Sequence, residues 1–350
     1  MGDSVLATEH ATPAGMNPNY TARRLIVALV AASLVGITVW LVHLATTSPP
    51  NRSSGATTHH ARPATGPTRT RVSHGAVPTT VPAGGLPVLR NLAVAMTELQ
   101  LVDTSRQLVS DGVVLAPDRS LPTYVWTPVA TGRYPLVVFV HGYDRSPLQY
   151  ERFCSTLASS GYVVAAPSFP LEDPSRGNGL NRADLPNEAV DVSFVITSME
   201  ADAPTEKLAP SKIGVVGHSD GADVALEIGY EQGTADKRVL AVVADAPDPV
   251  TSPLVPSTAP LLLVQGTADS VVPYAASQAV FDQLPGPTYY VSLLGADHLP
   301  PIAGDSPWTP VLDASVAEFL DATLADRGPG TSALTGQLAS SPLVRLATKG

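Results

Sequence analysis

The residues best suited to chemistry lie at 217–221, with the sequence Gly-His-Ser-Asp-Gly. An apolar stretch at 213–216 precedes them and a helix-forming stretch at 222–228 follows, so the pattern predicts a strand, a tight turn and a helix. Ser219 would lie on the turn, where glycines two residues to either side relieve crowding. A hydroxyl presented in this way can act as a nucleophile. The alternative is a glycine-rich turn whose serine only caps the helix.

A nucleophilic serine needs a base within hydrogen-bonding reach and a carboxylate that orients the base. Between residues 88 and 327 the only histidines are His141, His218 and His298. We expect the His218 side chain to point away from the serine hydroxyl, and His141 ends a predicted strand where an oxyanion loop would begin. Since acid and base follow the serine along the chain in turns of this kind, we predict that His298 is the general base.

We predict that Asp269, in the turn after the apolar stretch 261–265, is the orienting carboxylate. Asp245 and Asp248 follow the preceding predicted strand and could also reach the histidine. Asp269 is favoured because its strand comes just before the strand that leads to His298. Asp245 is kept as the alternative acid.

An oxyanion hole would require two backbone donors aimed at the developing negative charge. We predict the N–H of Asp220, directly after the serine, and the N–H of Tyr143, in the loop after the apolar stretch 136–140. Asp220 and Asp144 would lie at the mouth of the site, where their charge would disfavour anionic substrates.

Apolar stretches alternate with helical patterns between residues 88 and 327, which predicts a mostly parallel α/β sheet with helices on both faces. Too few residues separate the predicted strands 239–244 and 261–265 to form a cap domain, so we expect an open site. The other predicted strands lie at 99–102, 123–126, 136–140, 162–166, 212–216 and 289–294, and the predicted helices at 148–160, 187–200, 274–283 and 311–324.

Several of these segments resemble one known group of enzymes: 103–106, 125–128, 134–142, 161–167, 266–269 and 295–298. They are similar to serine α/β-hydrolases of the dienelactone hydrolase-like group, which includes platelet-activating-factor acetylhydrolases, chlorophyllases and cutinase-like polyesterases. The resemblance covers about residues 97–323. It implies the α/β-hydrolase fold and ester hydrolysis through an acyl-serine, with no cofactor and no metal. Asp220 departs from the group's usual residue after the nucleophile, and the acetylhydrolase and chlorophyllase branches would place the acid at Asp245.

The N-terminal region predicts a membrane anchor. Residues 1–22 read as a short polar tail, and 23–45 as an uncleaved transmembrane signal anchor whose span at 25–45 contains no charged residue. Such a span is roughly 30 Å long, the thickness of a bilayer core. Arg23 and Arg24 favour a cytoplasmic N-terminus, so the rest of the chain would be extracytoplasmic.

The remaining boundaries follow from composition. The high content of Pro, Thr and Ser at residues 46–87 predicts a disordered linker. We expect residues 88–327 to form the hydrolase domain and residues 328–350 to form a flexible tail. The formal net charge of −10 argues against a nucleic-acid partner. Cys154, the only cysteine, is predicted to be buried packing.

Taken together, the sequence predicts a membrane-anchored extracytoplasmic serine hydrolase that cleaves carboxylic esters of small molecules or lipid-like compounds. One alternative keeps the same residues and transfers the acyl group to envelope lipids or glycans. Another is a non-catalytic binding module with the α/β-hydrolase fold.

Overall fold

A ten-stranded sheet lies at the centre of the computed structural model, which describes residues 71–73, 86, 89–202, 207–249, 253–327 and 332–350. The predicted tail 1–22, the predicted anchor 23–45 and nearly all of the predicted linker lie outside these residues. Among the residues that are described, no helix is long and apolar enough to cross a membrane. The predicted anchor is therefore untested and stays a prediction.

The strands follow the order β1-β2-β5-β7-β6-β8-β9-β10-β11-β12, and a separate hairpin pairs β3 with β4. The six strands from β7 to β11 in this order are parallel, while β1, β2, β5 and β12 pair antiparallel. The strands are β1 Arg71–Ser73, β2 Val94–Asp103, β3 Leu108–Ser110, β4 Val113–Ala116, β5 Arg119–Pro128, β6 Tyr134–Val140, β7 Val163–Pro167, β8 Leu208–His218, β9 Val239–Asp245, β10 Leu261–Gly266, β11 Thr288–Leu293 and β12 Val344–Lys349.

Helices cover both faces of the sheet, as predicted. Strand β6 shows why: Val138 and Val140 pack into one apolar core, while Val137 and Phe139 pack into the core on the opposite face. A strand buried on both faces needs this continuous apolar run. The helices are α1 Glu151–Ser159, α2 Leu185–Asp202, α3 Asp220–Tyr230, α4 Tyr274–Gln283, α5 Pro300–Ala303, α6 Thr309–Thr323 and α7 Ser332–Gln337.

The predicted flexible tail at 328–350 is wrong for most of its length. Residues 332–337 form α7, and β12 pairs antiparallel with β11 along six residues. Pairing with β11 and the burial of Leu334, Leu338 and Val344 in the core hold this segment, and composition alone did not reveal these contacts. Likewise, Arg71–Ser73 pair with β2 inside the predicted linker. Cys154 is fully buried in α1, as predicted.

The loop between β7 and α2 is buried over residues 168–173. Two short 3-10 turns follow these residues, Pro174–Arg176 and Arg182–Asp184. Between β9 and β10, an isolated bridge pairs Leu254 with Glu231.

Candidate active site

Ser219 lies on a sharp turn between β8 and α3. Its backbone has φ 58° and ψ −126°, a conformation that L-residues rarely adopt. A Cβ atom on Gly217 would lie 1.9 Å from the Gly221 carbonyl oxygen, and one on Gly221 would lie 2.1 Å from the Val140 oxygen. Only glycine fits at either position, so the spacing of the motif follows from the crowding at the turn.

His298 and Asp269 meet beside this turn. The Nδ1 atom of His298 lies 2.8 Å from Oδ2 of Asp269. The same carboxylate accepts hydrogen bonds from the Gln265 side chain at 2.7 Å and from the backbone N–H groups of Val271 and Val272, each at 2.8 Å. These donors stabilise the charged carboxylate and fix it against the imidazole ring.

Asp245, the alternative acid, has a different position. Its backbone oxygen accepts a hydrogen bond from the N–H of Ser219 at 2.9 Å. Its side chain is buried, Oδ2 finds no hydrogen-bond partner within the described part of the chain, and burial followed by the Asp269 charge holds its pKa well above the usual range. The geometry therefore favours Asp269 as the partner of His298.

A second carboxylate, Asp297, connects the two loops that carry the acid and the base. Its Oδ1 atom accepts hydrogen bonds from the N–H of His298 and from both the N–H and the hydroxyl of Ser270. The hydrogen bonds from the backbone N–H groups of Ser270 and His298 lower the pKa of Asp297. Asp297 thus organises the backbone of the turn.

His218 links the serine turn to the histidine turn, a contact that the sequence did not reveal. Its Nε2 atom lies 3.2 Å from the His298 carbonyl oxygen, and the centres of the two rings are 4.6 Å apart. On its other side, Nδ1 lies 3.0 Å from the hydroxyl of Tyr150. Burial lowers the pKa of His218 well below its usual range, so the ring is neutral.

The predicted oxyanion loop lies against the serine turn. A Cβ on Gly142 would lie 2.9 Å from the Cβ of Ser219, so the backbone approaches the serine as closely as glycine allows. The buried ring of His141 supports the loop from behind, with Nδ1 donating to the Gly142 oxygen at 3.0 Å and Nε2 accepting from Phe169 N–H at 3.2 Å. Burial lowers the pKa of His141 to about 4. The roles of the Tyr143 and Asp220 amides as oxyanion donors remain predictions.

The placement of Asp220 at the mouth of the site is wrong. Its side chain is only 5% exposed and forms a two-pronged ion pair with Arg182. Arg182 also bonds to Asp248 at 2.7 Å and lies 4.0 Å from Asp223. The arginine comes from the loop before α2, where no sequence pattern marks it. Its positive charge offsets the repulsion expected from Asp220, whereas Asp144 is exposed as predicted.

Asp220, Asp223 and Asp248 are also the one group of three potential metal ligands among the residues that the structure describes. The Arg182 guanidinium lies among these three carboxylates and bonds to two of them. A guanidinium already lies where a metal ion would bind, so the arrangement is that of an ion network rather than of a site prepared for a metal.

Comparison with known protein sequences relates the chain to chlorophyllases. A family model described as chlorophyllase matches residues 98–267. Chlorophyllase-1 of Citrus sinensis is 25% identical over 152 residues, and chlorophyllase type 0 of Chenopodium album is 30% identical over 138 residues. These matches cover 43% and 36% of this chain and 45% and 38% of the relatives, so the chain spans less than half the length of either enzyme.

Among solved structures, a ferulic acid esterase from Streptomyces cinnamoneus superposes with a TM-score of 0.59 at 21% identity, over 75% of this chain and 98% of the esterase. This likeness shows the α/β-hydrolase fold. The matches together confirm the predicted resemblance to the serine hydrolase group that includes chlorophyllases. The chlorophyllase match includes Ser219 and ends before Asp269 and His298.

Proposed function

We propose that this chain is a serine hydrolase that cleaves carboxylic esters through an acyl-serine intermediate. The observation that carries the proposal is the 2.8 Å contact between His298 and Asp269 beside the strained turn of Ser219. The likeness to chlorophyllases, whose family match includes this turn, supports an ester as the substrate.

In the proposed mechanism, Asp269 accepts a hydrogen bond from the Nδ1–H group of His298, so that Nε2 carries no proton and is available as the base. The Ser219 hydroxyl attacks the ester carbonyl as Nε2 takes its proton. The backbone N–H groups of Tyr143 and Asp220 stabilise the oxyanion. His298 then protonates the leaving alcohol, and in the second half of the cycle water is deprotonated by His298 and releases the acid from the serine.

The substrate we propose is a bulky or lipid-like ester. The described part of the connection between β9 and β10 adds no cap above the serine, so the open site would accept large groups. The exposed Asp144 and the partly exposed ring of Tyr143 would flank the entrance, and the ring would offer an apolar surface to the acyl or alcohol group.

The test is hydrolysis of nitrophenyl esters of increasing chain length, together with labelling by a fluorophosphonate probe. We expect Ser219→Ala to lower kcat by about 10⁴-fold or more and to abolish labelling. Ser160→Ala is the matched control, because this buried serine bonds only within α1 and lies away from the turn. Activity in Ser219→Ala would contradict the proposal, and transfer of the acyl group to an added alcohol in place of water would replace hydrolysis with acyl transfer.

We also propose that residues 25–45 anchor the enzyme in the cell membrane with the catalytic domain outside the cytoplasm. The uncharged run and the adjacent Arg23 and Arg24 support this topology. Protease added to intact cells should then remove the domain from the membrane fraction, whereas a variant lacking 25–45 should not sediment with membranes. A domain protected until the cells are broken would contradict the orientation.

A further inference from the structure

We infer that Tyr150 and His218 are positioning residues, which form one hydrogen-bonded chain from the β6–α1 connection, the segment that contains the oxyanion loop, to the backbone of the general base. The inference rests on the proposed function of Ser219 and His298. It concerns two buried side chains that do not touch the reacting atoms.

The direction of each hydrogen bond in the chain is fixed by the groups themselves. The carbonyl oxygen of His298 can only accept, so Nε2 of His218, 3.2 Å away, must carry the ring proton. In a neutral ring Nδ1 is then an acceptor, and the Tyr150 hydroxyl donates to it over 3.0 Å. Tyr150 itself ends the connection from β6 to α1, the segment that begins with the oxyanion loop. Every polar group of the two side chains therefore has one defined role.

The chain connects three segments that are far apart in sequence. Tyr150 ends the connection from β6 to α1 that contains the oxyanion loop, His218 ends β8 directly before the serine, and His298 lies in the turn after β11. Tyr150 is fully buried, and its ring packs 4.9 Å from that of Phe139. A rigid, buried aromatic residue thus sets the distance between the oxyanion loop and the serine turn.

The uncharged state of the Tyr150 and His218 side chains also suits the proposed reaction. His298 must gain a proton during catalysis, and the ring of His218 lies only 4.6 Å from it. A second imidazolium at this distance would oppose that protonation through like-charge repulsion. The fixed Nε2–H form of His218 allows the ring to contact the base without competing for a positive charge.

The direct test removes only the Tyr150 hydroxyl. In Tyr150→Phe we expect kcat for a nitrophenyl ester to fall about 10- to 100-fold with little change in KM, because the loop and the base lose their alignment. Fluorophosphonate labelling should slow by a similar factor. Tyr230→Phe is the matched control: this tyrosine is equally buried and donates to the Ala259 oxygen at 2.7 Å, away from the turn. Equal kcat values in the two variants would overturn the inference.

A second pair of variants separates hydrogen bonding from packing. His218→Gln retains an amide N–H near the former Nε2, whereas His218→Leu retains volume without a donor. Glutamine should recover several-fold more kcat than leucine at comparable thermal stability. Equal loss in both variants would indicate that His218 acts only by packing.

A measurement without turnover distinguishes this inference from the proposed function. Ring ¹⁵N chemical shifts at pH 7 should show His218 as the neutral Nε2–H tautomer, and Tyr150→Phe should change them. A charged ring or the Nδ1–H tautomer would overturn the inference even in an active enzyme. A wild-type chain with the expected spectrum but no ester hydrolysis would overturn the proposed function alone.

Discussion

The two residues that flank Ser219 lie in opposite environments. Before the serine, His218 belongs to a neutral chain of hydrogen bonds that includes Tyr150 and reaches His298. After the serine, Asp220 belongs to an ion network centred on Arg182. We refer to these two regions as the neutral flank and the charged flank.

The charged flank contains more acid than its single arginine can balance. Near Asp220, the buried side chains of Glu172 and Glu188 have carboxyl oxygens with no hydrogen-bond partner within the described residues. Burial is the largest cause of a raised pKa at both, and at Glu172 the value is about 9. We therefore expect the neutral flank to govern catalytic alignment and the charged flank to govern how stability responds to pH.

The largest effect is expected at the carboxylate that supports the neutral flank. Asp269→Asn should lower kcat by about 10³- to 10⁴-fold, because an amide that donates to Nδ1 would favour the wrong ring tautomer of His298. Asp245→Asn is the matched control, since the side chain of Asp245 is buried nearby, where burial raises its pKa, and does not bond to His298 within the described residues. Steady-state kinetics on one ester would check both. A greater loss in Asp245→Asn would assign the acid to Asp245 instead.

A moderate effect on stability is expected from the charged flank. Arg182→Met should lower the free energy of unfolding by about 1–3 kcal/mol, because it leaves three neighbouring carboxylates without their counter-ion. The value is below that of a fully buried pair since the arginine side chain is 34% exposed. Lys212→Met, which removes the pair with the exposed Asp326, should cost less than about 1 kcal/mol. Urea unfolding at pH 7 measures both, and equal losses would contradict the distinction between the two pairs.

The smallest effect is expected on the way the free energy of unfolding changes with pH. The folded chain holds the Glu172 proton up to about pH 9, whereas the unfolded chain releases it near 4.5. Between these values the unfolded state binds fewer protons, so this group makes stability fall as pH rises. Glu172→Gln should therefore unfold at higher urea concentration than wild type at pH 8 and differ little at pH 4.5. Glu98→Gln, an exposed control, should show no such difference. A benefit that is equal at both pH values would reject titration as its cause.

Sequence patterns were sufficient to predict the parts of the molecule whose structure is determined by residues close together in the sequence. The apolar run of β6 and the glycines around Ser219 predicted the sheet and the turn because burial and crowding leave few other solutions. His298 followed by elimination, and Asp269 by its position after β10. These predictions needed no knowledge of which segments pack together.

The rest depended on contacts between distant segments. Arg182 lies in a loop without periodicity, and its role exists only because Asp220 and Asp248 approach it in space. The sequence pattern predicted Tyr150 only as part of the first turn of a helix. No neighbouring residue along the chain indicates that its hydroxyl contacts His218, 68 positions away. Edge strand β12 was missed for a related reason, because its partner β11 supplies the pairing.

The backbone of Ser219 has a wider consequence. Its positive φ costs a residue with a side chain of order 1–3 kcal/mol, a penalty that glycine largely avoids. A chain selected for folding alone would therefore replace this serine with glycine. At this one position the requirements of activity and of thermodynamic stability are opposed, because the side chain proposed as the nucleophile makes the backbone conformation less favourable.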